Sequence, residues 1–422
     1  MVGTVCRAPT VPTADPNEVL TMTVSFDPDV PLSVYPLTYL DEGDEVTVGR
    51  TDTGSFAVLP ADGAALLRQL ADGMSPRQGK QWYAEQYGED VDIDDFVAVL
   101  EELELLVPAG AVPVEVAPVE VRWQRLGRAV FSPVGWVCYA ILVVATIVAI
   151  VRQPVLLPRY QNLFFTNYLV LLELGIYFGQ MPFILVHEAC HALAGRRIGL
   201  PSSLGIGRRL YFVVFETALD GLVVVPRRQR YLPMLAGMVG DVLVIAVLTL
   251  VAAVLVAGNG VESTIGKYLL ALAFGTVLRL VWQLYIFLRT DIYYLVVTVL
   301  GCVDLHTVAR GMLANRINRL LRRTGRLVDE SNWHPRDRAA ARWYSWLILV
   351  GYSFMIVVAV LAAIPATVRM VELTLGHLRG DSSTLGFADA LVFLALNVAQ
   401  FAIVGVLAMR ARKRPRALLV AA

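Results

Sequence analysis

The sequence predicts an α-helical polytopic membrane protein with about six transmembrane helices, a short re-entrant helix and a small N-terminal α+β domain. Three observations predict it. The 422-residue chain is 56% hydrophobic and only 17% charged, with a mean hydropathy of +0.60, a balance foreign to soluble globular proteins. Apolar segments at 131–151, 164–194, 232–257, 268–289, 343–365 and 387–409 each approach or exceed the roughly 20 residues that cross a hydrocarbon core. Acidic residues crowd residues 1–105, and arginines crowd the stretches between apolar runs. The 36 basic and 36 acidic residues cancel, so no global charge points to nucleic acid as a partner.

The elements follow in order. Residues 1–19 read as a disordered tail, polar and proline-rich, without the apolar core of a cleaved signal peptide. Residues 20–107 read as the soluble domain. Alternating segments at 22–26, 46–50 and 56–59 suggest strands. A helical run from Asp62 carries Ala65, Leu66, Leu67 and Leu70 and stops at Gly73. Ser75-Pro76 is an N-cap followed by proline at the first helical position. Asp92 to Asp95 lead a third helix with Phe96, Val99, Leu100, Leu103 and Leu106 on one face. A linker spans 108–128, proline-spaced over 108–120. Then come a membrane core (129–305), a basic segment (306–342), a C-terminal transmembrane hairpin (343–410) and a basic tail (411–422).

Arginine placement sets the orientation. Arg122, Arg125 and Arg128 precede the first span, and Arg196 to Arg230 fill the loop after the second. The 310–342 stretch and the tail after Arg410 are also arginine-rich, whereas 152–163, 258–267 and 366–386 carry far fewer. Six spans then place both termini in the cytoplasm of a multi-pass cell-membrane protein. The segment 291–305 is apolar but too short to cross. A full span there would move the basic 310–342 stretch outside, so a re-entrant or interfacial helix is expected. Within the 195–231 loop, the segments LYFVVF and LVVVP could be strands lining a site.

The four cysteines, Cys6, Cys138, Cys190 and Cys302, lack paired spacing and form no metal-site framework. The chemistry sits at His187-Glu188-Ala189-Cys190-His191, at the end of the second span. On a helix, positions i and i+4 share a face, so two imidazoles can grip one metal ion, and zinc suits this ligand chemistry best. Glu188 is placed to take a proton from water. A catalytic zinc has three protein ligands, and the third must lie at the motif's depth. His187 lies about 27 Å below the outer edge of its span, and Asp291 roughly 35 Å below the start of its own, so the two reach a similar level. Glu173 is about 21 Å from His187 along its helix, and Asp241 about 14 Å above the cytoplasmic start of the third span. Asp220, in a literal Leu-Asp-Gly, is the alternative third ligand, and Asp304 and His306 also remain open.

Two stretches resemble known families. The segments FAVLP, GAALLRQLADG, SPRQGKQWYAEQYG and DIDDFVAVLEELELL resemble the PqqD-like domain, or RiPP recognition element. The resemblance implies a winged-helix-like fold that grips a leader peptide beside an exposed strand. Residues 165–310 resemble the site-2 protease family of intramembrane zinc metalloproteases. HEACH matches its metal-binding helix, AGMVGD (236–241) looks like its next core helix, and QLYIFLRTDIYYLVVTVLGCVDL (283–305) corresponds to the stretch that carries its N-x-x-P-x-x-x-L-D-G pattern. Asp291 falls at the aspartate and Gln283 at the amide, while the proline and glycine are missing and Ile292 follows the aspartate. The resemblance implies zinc bound by His187, His191 and Asp291, Glu188 as catalytic base and Gln283 as an amide donor to substrate. It also implies a peptide or membrane-protein substrate, presented by the N-terminal domain in a lipid bilayer. A non-proteolytic part in peptide export or immunity, with a structural metal, is the alternative.

Overall fold

The computed structural model describes residues 26–43, 45–50, 53, 55–107, 121–209, 212–219, 221–256, 263–331, 333–358, 360, 364–379 and 384–413. Near the N-terminus, β1 (Thr38–Asp41), β2 (Glu45–Arg50) and β3 (Ser55–Pro60) form an antiparallel sheet in that order, with Leu40 opposite Thr47 and Val48 opposite Ala57. Three helices follow: α1 (Ala61–Ala71), α2 (Pro76–Tyr87) and α3 (Ile93–Glu102). Val46, Val48, Leu67 and Leu100 close the core between sheet and helices. Ser75 makes the predicted N-cap, accepting from the Gln78 amide while Gln78 reaches back to the Ser75 amide. Tyr83 of α2 donates to Asp62 of α1, which lowers the Asp62 carboxyl and pushes the Tyr83 hydroxyl up to about 12. The expected strands at 46–50 and 56–59 are β2 and β3. The expected strand at 22–26 lies outside the described residues except for Phe26.

After α4 (Gln124–Val130) the chain is dominated by long helices. Six are long and apolar enough to cross a membrane: α5 (Pro133–Arg152), α6 (Leu169–Arg197), α7 (Arg227–Val254), α8 (Thr264–Gln283), α11 (Pro335–Val358) and α13 (Thr384–Lys413). Of α7's apolar window 44% is buried, against 6% for α5, so α7 is the hub. It packs on α5, α6, α8 and on α9 (Asp291–Leu300). Close approach is built into the sequence, since a Cβ on Gly240 would stand 2.7 Å from Cys190 Sγ on α6. Cys190 is thereby a packing residue of the α6–α7 seam.

Between α6 and α7 lies a two-stranded antiparallel sheet, β4 (Ser202–Arg209) with β5 (Phe212–Leu219), packed on α6. Phe212 to Phe215 of LYFVVF therefore lie in a strand, whereas LVVVP does not form one. Gly221 in the left-handed region (φ +78°) turns the chain, and Leu222–Val224 forms a 3-10 turn.

The expected short helix over 291–305 resolves into α9 and α10 (Leu305–Leu320), bent by 91° at Gly301 to Asp304. Gly301 turns through the left-handed region (φ +65°). Asp337, at the start of α11, accepts the Val303 and Asp304 amides at 3.0 Å and so pins the elbow. α10 then packs on α11 around Leu305, Ala309, Ala341 and Tyr344. A further helix, α12 (Ile364–Leu378), occupies part of the stretch expected to be loop.

The N-terminal sheet meets the helical body at the Leu222–Val224 turn and through two acidic side chains of the β1–β2 turn. Glu42 pairs with Arg230 (3.0 Å) and Arg227 (3.1 Å) at the start of α7. Glu45 pairs with Arg336 (2.8 Å) and His334 (2.9 Å) at the start of α11.

Candidate metal centre

α6 carries HEACH toward its C-terminal end, where three of the five motif residues are buried. His187, Glu188 and His191 are 4%, 9% and 2% exposed, respectively. Asp291 arrives from the other side as the first residue of α9. Its position is set by Gln283 at the end of α8. The Gln283 side-chain oxygen accepts the Asp291 amide (3.1 Å), and its backbone oxygen accepts the Thr290 hydroxyl (2.7 Å). The stretch between α8 and α9 is thus closed by its own polar groups, and Gln283 acts on the aspartate's backbone.

Three atoms converge. His187 Nε2 and His191 Nε2 are 3.1 Å apart, and each is 3.2 Å from one Asp291 oxygen. The opposite ring nitrogens are occupied. His187 Nδ1 lies 3.0 Å from an Asp241 oxygen, and His191 Nδ1 lies 2.6 Å from the Pro233 carbonyl. Both of those partners only accept, so each neutral imidazole spends its single N–H there. With both rings neutral, three lone pairs face one another, an arrangement that a bound cation, a proton or a metal ion, relieves. The spacing fits a tetrahedral ion, whose ligand atoms stand about 3.3 Å apart for bonds of about 2.0 Å.

A second observation agrees. A Cβ built on Gly237 of α7 would fall 2.2 Å from His191 Nε2 and 2.5 Å from His187 Nε2. Glycine keeps open a space at ligand-bond distance from both nitrogens. Among the described residues, His187, His191 and Asp291 form the one group that could hold a metal ion.

Glu188 does not point idly into packing. Thr217 of β5, itself 2% exposed, has its hydroxyl 2.8 Å from a Glu188 carboxylate oxygen and 3.0 Å from the Glu188 carbonyl. The hairpin that follows α6 in the chain thus folds back and holds the side chain beside the first ligand.

The other acidic candidates have different surroundings. Asp241 is fully buried and lies behind His187, where it also meets Arg279 of α8. Asp304 caps α10 by accepting the Thr307 amide, and His306 is buried beside Tyr293 and Tyr344. Glu173 accepts from Asn397 and Gln400 of α13. Asp220 lies outside the described residues. Thr217, Arg279 and the supporting part of Asp241 were not singled out from the sequence. A signal existed for two of them, because an arginine and an aspartate inside adjacent apolar segments need each other. Comparisons with family models, with curated proteins and with solved structures return no match for this chain.

Proposed function

We propose that the protein is a polytopic zinc metallopeptidase of the cell membrane, similar to the site-2 protease family, with both termini in the cytoplasm. The observation that carries this is the buried triangle of His187, His191 and Asp291 with an acid, Glu188, next to its first member. Two imidazoles and one carboxylate are the donor set of a catalytic zinc, with a fourth position left for water or substrate. Bound there, zinc supplies a Lewis acid that eases loss of a proton from water and polarises a peptide carbonyl. Glu188 takes the proton of the attacking water and delivers it to the leaving amine. Thr217 holds the Glu188 carboxylate in place for that transfer. A structural metal site would have no use for such a base.

The substrate is a peptide or membrane protein bound in extended form. β4 has exposed Leu204 and Ile206 and offers it a partner strand close to Glu188. The N-terminal domain, similar to PqqD-like domains, presents the peptide from the cytoplasm, as in maturation of a leader-bearing modified peptide. The test is Glu188→Gln expressed in the native host. The uncleaved substrate is expected to accumulate in its membranes while metal content stays at the wild-type level. Equal processing by the variant sinks the hydrolase and leaves a structural metal.

A further inference from the structure

Arg279 is a guanidinium in the middle of the bundle, and the metal triangle does not use it. Its side chain is 17% exposed, and its partner Asp241 is fully buried. Nε lies 3.1 and 3.2 Å from the two Asp241 oxygens, and Nη2 donates to one of them as well. The rest of the fork reaches α6, with Nη2 3.3 Å from the Phe183 carbonyl and Nη1 3.5 Å from the Gln180 side-chain oxygen. Gln180 is held in turn by its bond to the Leu272 carbonyl (2.8 Å). One side chain of α8 therefore grips α7 and the turn of α6 just before His187.

The Asp241 oxygen that Arg279 Nε approaches at 3.2 Å is the one lying 3.0 Å from His187 Nδ1. We infer that Arg279 and Asp241 are positioning residues of the metal centre, acting together through His187. The guanidinium holds the carboxylate aimed at the ring. The carboxylate fixes the ring's rotation and keeps its proton on Nδ1, so that Nε2 offers a lone pair to the metal. An ion pair that served helix packing alone would not need to share an oxygen with the imidazole.

This inference rests on the metal-binding part of the proposed function and not on peptide hydrolysis, so its test reads the metal. Co2+ is titrated into the purified full chain in detergent against a competing chelator, and the visible absorption of the bound ion is recorded. Asp241→Asn and Arg279→Met should each lower Co2+ affinity by about 10–100-fold, the range found when an outer partner of a metal-bound histidine is lost. The double variant should cost no more than the worse single, because the two act through one contact. Arg279→Lys keeps the charge, loses the fork and should recover part of the affinity. Wild-type affinity in both single variants, or losses that multiply in the double, overturn the inference. Should Asp241→Asn not fold, Arg279→Lys carries the test, and an unchanged affinity and absorption spectrum then overturn it. A wild type that binds Co2+ but cleaves nothing removes the hydrolase and leaves this pair standing. Variants that cleave and bind metal like the wild type do the reverse.

Discussion

Gly237 runs against the usual effect of glycine in a helix interior, where alanine would be favoured by about 0.5–1 kcal/mol. Here the added methyl would sit at bonding distance from both Nε2 atoms. Gly237→Ala should therefore give a folded protein that no longer retains stoichiometric metal through purification, as elemental analysis would show. Wild-type metal content would disprove the close approach. Thr217 answers a separate question, because its hydroxyl touches Glu188 and no metal-binding atom. Thr217→Val keeps the strand's shape and removes the donor. Under the proposed hydrolysis, turnover should fall by about 10-fold, a fraction of the roughly 10²–10⁴ that a general base supplies. Metal content should hold, and Thr217→Ser should restore the rate. Loss of metal in the valine variant would mean that Thr217 supports the fold rather than the base.

At the scale of elements, the elbow between α9 and α10 fixes the far end of the helix that Asp291 begins. α9 begins at that aspartate and ends at an elbow tied to α11 by Asp337, which is 1% exposed. Asp337→Ala leaves two amides of the elbow without their acceptor and should destabilise the protein by about 2 kcal/mol, seen as a lower Tm in detergent. An unchanged Tm would mean that the packing of α10 on α11 holds the bend alone. The long apolar helices were legible because hydropathy is local and accumulates over 20 residues. HEACH was legible because its geometry is confined to one helix, and depth along two helices favoured Asp291 over the literal Leu-Asp-Gly. β1 and α12 were not. The short β1 segment TYLD has little period of its own and takes its form from β2, and α12 carries Arg369, Glu372 and His377 among its apolar residues. Thr217 and Arg279 lie 29 and 38 residues from their partners, and no spacing rule connects such distances.

At the scale of the molecule, two glutamates of one β-turn tie the N-terminal sheet to the first turns of α7 and α11. Partly exposed pairs of this kind contribute about 0.2–1 kcal/mol each, and their share of the contact weakens with salt. Replacing Glu42 and Glu45 together with lysine should release the domain, read as faster amide exchange over 38–50 and 221–231. Unchanged protection would show that apolar contacts hold it. Arg230 also bonds the Val223 and Val225 carbonyls, in the segment joining β5 to α7. The domain thus grips the stretch whose two ends reach Glu188 and the histidines.

The metal triangle has a mechanical side as well. His187 and Asp291 stand 104 residues apart in the chain. An ion shared between them closes a loop of that length, and a cross-link over about 100 residues restricts the unfolded chain by about 4–5 kcal/mol in the entropic treatment. A centre that held an ion would then act as a staple, whatever its chemistry. Without an ion, the chain would lack that tether between the helix that carries the motif and the one that begins at the aspartate.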